Sequence, residues 1–291
     1  ISSIGWSELN KDAISNHLCV RGYHEAINYS FVKKDIDNQI SGQESKLELL
    51  NPISTEMAVM KSSHLAGLLR TLKRNLSRQN NRVRLFEIGN VFSGDIKNHK
   101  EVEKIAAIAI GSIEEESWNS KHNDISFFDL KGDLDSLLLS NNEKDFFSYK
   151  SNKDNKNFHP SFSADIYRKS EIIGVIGMLN PILTGRFDIS EDVYFFEIDY
   201  KKAFKKSQIK AKPISKYPQI RRDISIVVDS HIISSELIDT VKKINPSIIQ
   251  SVNVFDVYEG KNIEEGRKSI ALGLILQEKS RTLTDDEADD I

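Results

Sequence analysis

Cysteine is nearly absent from this chain of 291 residues, which contains only Cys19. A disulfide within the chain is therefore excluded, and zinc held by several cysteines is disfavoured. Long apolar runs are also missing, since none approaches the ~20 residues that a membrane-spanning helix needs. The first residues lack the charged and then apolar pattern of a secretory signal. These absences predict a protein of the reducing cytoplasm that does not cross a membrane.

Neither sign of charge predominates, with 40 Lys and Arg against 43 Asp and Glu. A uniformly basic nucleic-acid binder is thereby excluded, whereas a local basic face is not. The seven histidines have no HxxH or HExxH spacing, and no glycine-rich segment ends like a phosphate loop. Ser161 and Ser163 have no recognisable partner base. His159 precedes Pro160 and is predicted to be a structural turn residue. We therefore predict no catalytic and no metal-binding residue.

Apolar periodicity predicts two domains, residues 1–205 and 210–291, joined by a lysine-rich linker near residues 204–216. In the first domain it predicts helices at 7–21, 65–77 and 128–139, and strands within 24–32, 83–92, 104–112, 163–179 and 192–200. Gly22 is expected to end the first helix. Residues 141–160 are polar and are predicted to form a loop.

The second domain has the predicted order β-α-β-β-α. Its strands are expected within 223–229, 248–258 and 267–277. Ser234 or Ser235 is expected to cap the helix at 234–244, and Thr284 to cap a last helix with an acidic first turn. A ferredoxin-like split βαβ unit has one more strand. We therefore expect this domain to be truncated at its C-terminus, and the start at Ile1 indicates an excised fragment.

Cations gather at the strand ends of the second domain. They are Lys216, Arg221, Arg222, Lys261, Arg267, Lys268 and Arg281. Alternation places Val254, Asp256 and Tyr258 on one face of the second strand. One sheet face of an antiparallel two-layer fold meets solvent, and an exposed aromatic ring with rim cations suits unpaired RNA bases. The alternative interpretation is a solvated hairpin whose charges compensate one another.

Several segments of the chain resemble one known family. They are NPISTEMAVMKSSHLAGLL, NRVRLFEIGNVF, FHPSFSADIY, KYPQIRRDISIVVD and FDVYEGKNIEEGRKSIALGLILQEKSRTLTDDE. In this order they resemble the C-terminal part of bacterial phenylalanyl-tRNA synthetase β subunits. The resemblance implies an α+β fold, with a class II synthetase-like antiparallel sheet and flanking helices followed by a ferredoxin-like split βαβ domain that binds the anticodon. The family's tRNA-binding OB-like and editing modules have no counterpart here, so no editing or metal residue is assigned.

The resemblance also implies a ligand for the basic strand edges, the anticodon stem-loop of phenylalanine tRNA. Tyr258 is expected to stack on a splayed base or to hydrogen-bond it. Asp256 is expected to accept a hydrogen bond from a base amino or imino group. The implied RNA contacts are Arg221, Arg222, Asp256, Tyr258, Lys261, Lys268, Ser269 and Arg281.

The first domain is not expected to contain a complete adenylation site. Class II synthetases bind ATP with an Arg-x-Glu strand, whereas Arg84 and Glu87 are three residues apart and therefore lie on opposite faces of a strand. The resemblance places the chemistry in the α subunit of an (αβ)2 assembly, with ATP and Mg2+ needed by the whole enzyme and no cofactor in this chain. The segment from Asn51 to Leu69 resembles the first class II motif and is expected to contact other subunits, the alternative being an ordinary internal helix.

A hypothesis of a different class is a standalone regulatory protein. It would combine a synthetase-like fold with a ferredoxin-like domain that senses an amino acid. A sensor needs a dry polar pocket, and no glycine-rich ligand loop suggests one. The basic rim of the second domain favours RNA.

Overall fold

The computed structural model describes residues 11–45, 47–119, 123–139, 146–205 and 215–291. The chain forms two compact units, Ile1–Ile209 and Lys210–Ile291. Most of the predicted linker, residues 206–214, lies outside the described residues. Within the described ranges, no helix is both long enough and apolar enough to span a membrane.

The first unit is built on a seven-stranded sheet. In chain order its strands and those of a small two-stranded ribbon are β1 (His24–Glu25), β2 (Phe31–Val32), β3 (Val59–Met60), β4 (Val83–Ser93), β5 (Lys100–Ile110), β6 (Phe147–Ser151), β7 (Phe158–Arg168), β8 (Glu171–Leu179) and β9 (Tyr194–Asp199). The large sheet has the order β1-β4-β5-β9-β8-β7-β6, and β2 pairs with β3 in the ribbon. All neighbours in the large sheet are antiparallel except β1 and β4.

Helices cover both faces of the large sheet. They are α1 (Lys11–Val20), α2 (Lys34–Ser41), α3 (Leu65–Leu76), α4 (Phe127–Leu139), α5 (Pro181–Gly185) and α6 (Tyr200–Ala203). Phe86 and Phe196 pack in one core with α1 and α4, whereas Leu85 and Phe195 pack in a second core with α3. The central strands therefore carry apolar residues on both faces, as strands buried on two sides do.

Most predicted elements of the first unit are present. The helix predicted at 65–77 is Leu65–Leu76, and the strand predicted at 83–92 is Val83–Ser93. Gly22 follows α1 with a φ of 84°, a left-handed conformation that favours glycine and stops a helix. Residues 7–10 of the predicted first helix lie outside the described part of the chain.

Three details of the first unit differ from the prediction. Residues 141–145 of the predicted loop at 141–160 lie outside the described part of the chain, and the rest contains β6 and the start of β7. The polar residues of β6 are tolerated because β6 is the edge of the sheet. The predicted strand at 24–32 is only β1 and β2, because the residues between them turn toward α3, where Asn28 accepts a hydrogen bond from Thr71 (2.7 Å). Helix α2 is not predicted because only Ile36 and Ile40 are apolar in it.

The second unit pairs a three-stranded sheet with two helices. Its elements are β10 (Ile220–Asp229), α7 (Ser234–Ile244), β11 (Ile249–Tyr258), β12 (Arg267–Leu276) and α8 (Asp285–Asp289), and the sheet order is β10-β12-β11. Val241 of α7 and Ala288 of α8 share a core with Leu272 and Leu274 of β12, so both helices lie on one face. The predicted α+β class, with a large helix-flanked sheet and a second, ferredoxin-like unit, is confirmed.

The two helix starts of the second unit differ from each other. Thr284 caps α8 as predicted, because its side chain accepts from the backbone of Glu287 and the Glu287 side chain accepts in return. The predicted serine cap of α7 is wrong. Ile233 occupies the capping position there and has no side-chain hydrogen bond, so both serines lie inside the helix.

Candidate nucleic-acid interface

One face of the sheet in the second unit is not covered by α7 and α8, and we call it the open face. The strand register places on it Arg221, Asp223, Ser225, Val227 and Asp229 of β10, Ser251, Asn253, Phe255, Asp256 and Tyr258 of β11, and Arg267, Ser269, Ala271, Gly273 and Ile275 of β12. The central strand β12 contributes mostly small side chains, so the middle of the open face is shallow between two edges of larger side chains.

A β-bulge in β11 determines which residues reach the open face. The register shifts at Phe255, because Val254 lies opposite Leu272 and Asp256 lies opposite Ala271. Val254 therefore packs toward the helices, whereas Phe255 and Asp256 both lie on the open face. The prediction that Val254 shares a face with Asp256 and Tyr258 is wrong, because an inserted residue reverses the alternation.

Tyr258 and Asp256 are available to a ligand. The Tyr258 side chain is half-exposed, with 47 % of the residue accessible, and its hydroxyl lies so close to Gly260 that a Cβ there would overlap it. Glycine at this position thus lets the ring lie against the turn. Asp256 is exposed, and the described part of the chain supplies no hydrogen bond or ion pair to its carboxylate.

Ser269 and Lys261 adjoin these two residues. Ser269 lies directly opposite Tyr258 in the register, and its hydroxyl is 2.8 Å from that of Ser225 on the other neighbouring strand. Lys261 is exposed in the turn that follows β11. The structure therefore brings Asp256, Tyr258 and Ser269 together as the sequence predicts, with Lys261 close to Tyr258 in the chain.

Three predicted cations are not brought to the open face. Arg222 lies on the helix side of β10, where its Nη2 and Nε are each 2.6 Å from carboxylate oxygens of Asp285 and Asp289. The Lys268 ammonium donates to the carbonyl oxygen of Ser230 (2.8 Å). Arg222 and Lys268 occupy strand positions that alternate with the open-face positions, so their side chains start from the opposite face of the sheet. The prediction that they contact RNA did not consider this alternation.

Arg281 is likewise bound within its own chain. It lies in the segment before α8 and donates to Glu287 (2.7 Å). The hydrogen bond from Arg281, together with the backbone hydrogen bond from Thr284, lowers the pKa of Glu287 to about 2. Arg221 is the predicted arginine that does lie on the open face, where its Nε donates to Asp223 (2.8 Å).

Sequence reasoning missed Phe255, which is 54 % exposed on the open face and lies against the Arg221 guanidinium. A signal for it exists in the sequence. Val252 and Val254 are two residues apart, as strand alternation requires, whereas Val254 and Val257 are three residues apart. This change of spacing indicates a bulge between Val254 and Val257.

The first unit separates Arg84 from Glu87, as predicted. Arg84 points toward α4, where it donates to Asp133 (3.3 Å). Glu87 points to the opposite face and accepts from Lys61 (2.6 Å) and Asn28 (2.6 Å). The two side chains therefore cannot bind one phosphate group together.

Two buried carboxylates of the first unit are fully engaged by their own chain. Glu87 Oε1 is also 3.1 Å from His64 Nδ1. Burial acts to raise the pKa of Glu87, but the hydrogen bonds and positive charge around it outweigh burial and hold that pKa below its usual value. Glu197 accepts from the Ser63 hydroxyl (2.9 Å), the His64 backbone (2.8 Å) and Lys104 (2.7 Å). Among the described residues, no group of three or more His, Cys, Asp or Glu is arranged to hold a metal ion.

Exposed apolar side chains lie in the segment that resembles the first class II motif, just before it, and between β1 and β2. Leu50 and Ile53, which precede α3, are 98 % and 82 % exposed, and Ile27 is exposed between β1 and β2. A cavity of about 420 Å³ lies between the β1–β2 connection and α3, with Ile27 and Arg70 in its lining. Large apolar side chains held in water are typical of surfaces that another protein covers.

Comparison with known proteins identifies two families along the chain. The phenylalanyl tRNA synthetase beta chain CLM domain matches residues 6–200, and the ferredoxin-fold anticodon binding domain matches residues 215–291. The chain is 37 % identical over 284 residues to the phenylalanine–tRNA ligase beta subunit of Photorhabdus laumondii, covering 97 % of this chain and 36 % of that protein. It is 37 % identical over 273 residues to the subunit of the same name from Coxiella burnetii, covering 93 % and 34 %.

The chain thus spans about a third of the length of these curated relatives. Among solved structures, a pyrrolysyl tRNA synthetase from Desulfitobacterium hafniense is similar with a TM-score of 0.49 and 13 % identity over 66 % of each chain. On the family matches and the identities to the beta subunits, this chain belongs to the phenylalanyl tRNA synthetase beta chain family.

Proposed function

We propose that this chain is part of a phenylalanine–tRNA ligase and that its second unit binds the anticodon stem-loop of phenylalanine tRNA on the open face. The observation that carries the proposal is the pair formed by Tyr258 and Asp256. The Tyr258 ring is half-exposed, and the Asp256 carboxylate has no partner in the described chain. The two residues lie on the same face of β11, opposite the small residues Ser269 and Ala271 of the neighbouring strand β12. The match of residues 215–291 to an anticodon-binding domain supports the same ligand.

The chemistry of the open face suits unpaired bases. Tyr258 offers a face on which any base stacks, and stacking is tolerant of sequence. Asp256 accepts hydrogen bonds and so selects bases that present an amino or imino donor. Ser269 can donate or accept from the middle of the sheet. Lys261 supplies positive charge at the rim for a phosphate.

Titration of the full chain with a fluorescent transcript of phenylalanine tRNA tests the proposal. Tyr258→Ala is expected to weaken binding by about 1–3 kcal/mol, because stacking contributes that much per base. Val257→Ala, which removes an exposed side chain that the strand register places on the opposite face of β11, is the control and is expected to bind normally. Unchanged affinity for both Tyr258→Ala and Asp256→Ala would rule out this surface. Binding of free phenylalanine instead of tRNA would favour an amino-acid sensor.

We propose further that the first unit assembles with the α subunit in an (αβ)2 ligase of the cytoplasm and makes no adenylate itself. Arg84 and Glu87 are on opposite faces of β4, and both are bound by residues of the same chain, so neither is free for ATP. The whole enzyme would use ATP and Mg2+ in its α subunit. The exposed Leu50 immediately precedes the segment expected to contact other subunits, and the exposed Ile53 lies within it.

A further inference from the structure

The three strands of the second unit are linked across the open face by one long side chain. Arg221 of β10 extends over the central strand β12 and places its guanidinium carbon 5.5 Å from the centre of the Phe255 ring on β11. It crosses at Gly273, where a Cβ would lie 3.2 Å from Arg221 Nη2 and 3.2 Å from Asp223 Oδ1. Glycine in this strand therefore leaves the room for the crossing, as glycine often does where another group approaches closely.

Both side chains of this contact are open to solvent. The Phe255 ring is more than half exposed, and the Arg221 side chain is 58 % exposed. The hydrogen bond from Arg221 Nε to Asp223 Oδ1 (2.8 Å) fixes the plane of the guanidinium. Because Phe255 is largely exposed to water, the folded chain gains little hydrophobic stabilisation from its ring. Its position in a bulge that directs it outward therefore points to a ligand.

We propose that Arg221 and Phe255 form a second base-stacking site, separate from Tyr258, for another unpaired nucleotide of the bound RNA. The inference rests on the proposed function. Aromatic rings and guanidinium planes are the two surfaces on which splayed RNA bases stack in proteins. Phe255 and Tyr258 are three residues apart on one strand, which separates their backbones by about 7–10 Å. The two sites would therefore hold different bases of the loop.

The test uses the full chain and anticodon stem-loop RNAs of phenylalanine tRNA that carry 2-aminopurine at one loop position at a time. Stacking on a ring changes the fluorescence of this base. Phe255→Leu keeps an apolar side chain without a ring and is expected to weaken binding by at least about fivefold. It is also expected to abolish the fluorescence change at one loop position, whereas Tyr258→Ala abolishes it at a different position. Arg221→Lys keeps the charge without the plane and is expected to act at the same position as Phe255→Leu.

Ile233→Ala removes an exposed apolar side chain outside the open face and is expected to leave affinity and fluorescence unchanged, and circular dichroism checks that each variant folds. If Tyr258→Ala weakens binding but Phe255→Leu does not, the second site is wrong and the proposed function stands. If both variants affect the same loop position, there is one stacking site rather than two. If neither variant matters, the proposed function fails as well.

Discussion

An arginine whose N–H groups already bind carboxylates of its own chain has fewer donors and less uncompensated charge for an RNA phosphate. Arg222 is bound to two carboxylates of α8, and Arg281 is bound to Glu287 of the same helix. All three ion pairs are charge-assisted hydrogen bonds, which are stronger than neutral ones. Asp256 and Lys261, in contrast, have no such partner in the described part of the chain. Among the predicted RNA contacts, the presence or absence of an ion-pair partner within the chain therefore distinguishes the residues better than their charge does.

The pKa of Glu287 reports directly whether Arg281 is engaged. It lies at about 2 in the folded chain, below the value of about 4.3 expected in an unfolded one. A depressed pKa contributes stability that is present above pH ~4.3 and is lost as the pH falls through about 2. Arg281→Met is expected to raise the pKa of Glu287 toward its ordinary value, as measured by NMR titration of the side-chain carboxyl carbon.

Arg267→Met provides the control, since Arg267 pairs with Glu264 and Asp229 rather than with Glu287. It should leave the titration of Glu287 unchanged. A wild-type Glu287 that titrates near its ordinary value would mean that Arg281 is free. A rise in this pKa when RNA is added to the wild type, without a similar rise in Arg281→Met, would mean that Arg281 transfers to a phosphate.

Whole elements were predictable where one periodicity continued without interruption. The leucines at 65, 68, 69 and 72 recur with helical spacing, and α3 begins and ends almost where they predict. The apolar run of β5 likewise predicts a strand buried on both faces. In β11 the periodicity breaks at Phe255, and continuing the alternation through it assigned Val254 to the wrong face. The prediction that Asp256 and Tyr258 share one face of β11 is correct, but it is the bulge that puts both of them on the open face.

Contacts between distant parts of the chain could not be predicted from local pattern. Whether Arg222 serves RNA or α8 depends on carboxylates more than 60 residues away. The same holds for the ion pair of Lys61 and Glu87, which fastens the segment before α3 onto β4. Both side chains of that pair are almost completely buried. Removing one partner of a buried pair leaves an uncompensated charge.

Lys61→Met tests how far this pair anchors α3 to the sheet. It is expected to lower the free energy of unfolding of the first unit by about 3–5 kcal/mol, because Glu87 would remain buried with less positive charge around it. Urea unfolding followed by circular dichroism measures the change. Lys11→Met breaks an exposed pair with Glu103 and is expected to cost less than about 1 kcal/mol. Adding Glu87→Gln to Lys61→Met should recover part of the loss, and no recovery would mean that the charge of Glu87 is not the cause.

The molecule as a whole combines two units that differ in what they expose. The second unit exposes a polar sheet face with aromatic rings, which suits RNA. The first unit keeps Glu87 and Glu197 engaged and exposes large apolar side chains in the chain segment that precedes α3. An apolar surface of this kind is typical of a protein interface, in which charged residues are depleted at the centre. This contrast is the physical basis for proposing RNA binding by the second unit and subunit assembly by the first.

Assembly is tested with the double variant Leu50→Asp and Ile53→Asp. If these side chains are covered by the α subunit, two buried carboxylates without partners are expected to prevent association, as measured by size-exclusion chromatography with light scattering on the mixed subunits. Ile182→Asp places the same charge on α5, where the native side chain is 75 % exposed, and is expected to assemble normally. Pyrophosphate exchange with ATP, phenylalanine and Mg2+ is expected only in fractions that contain the α subunit. Normal assembly of the double variant would place the interface elsewhere, and exchange by this chain alone would contradict the proposal that it makes no adenylate.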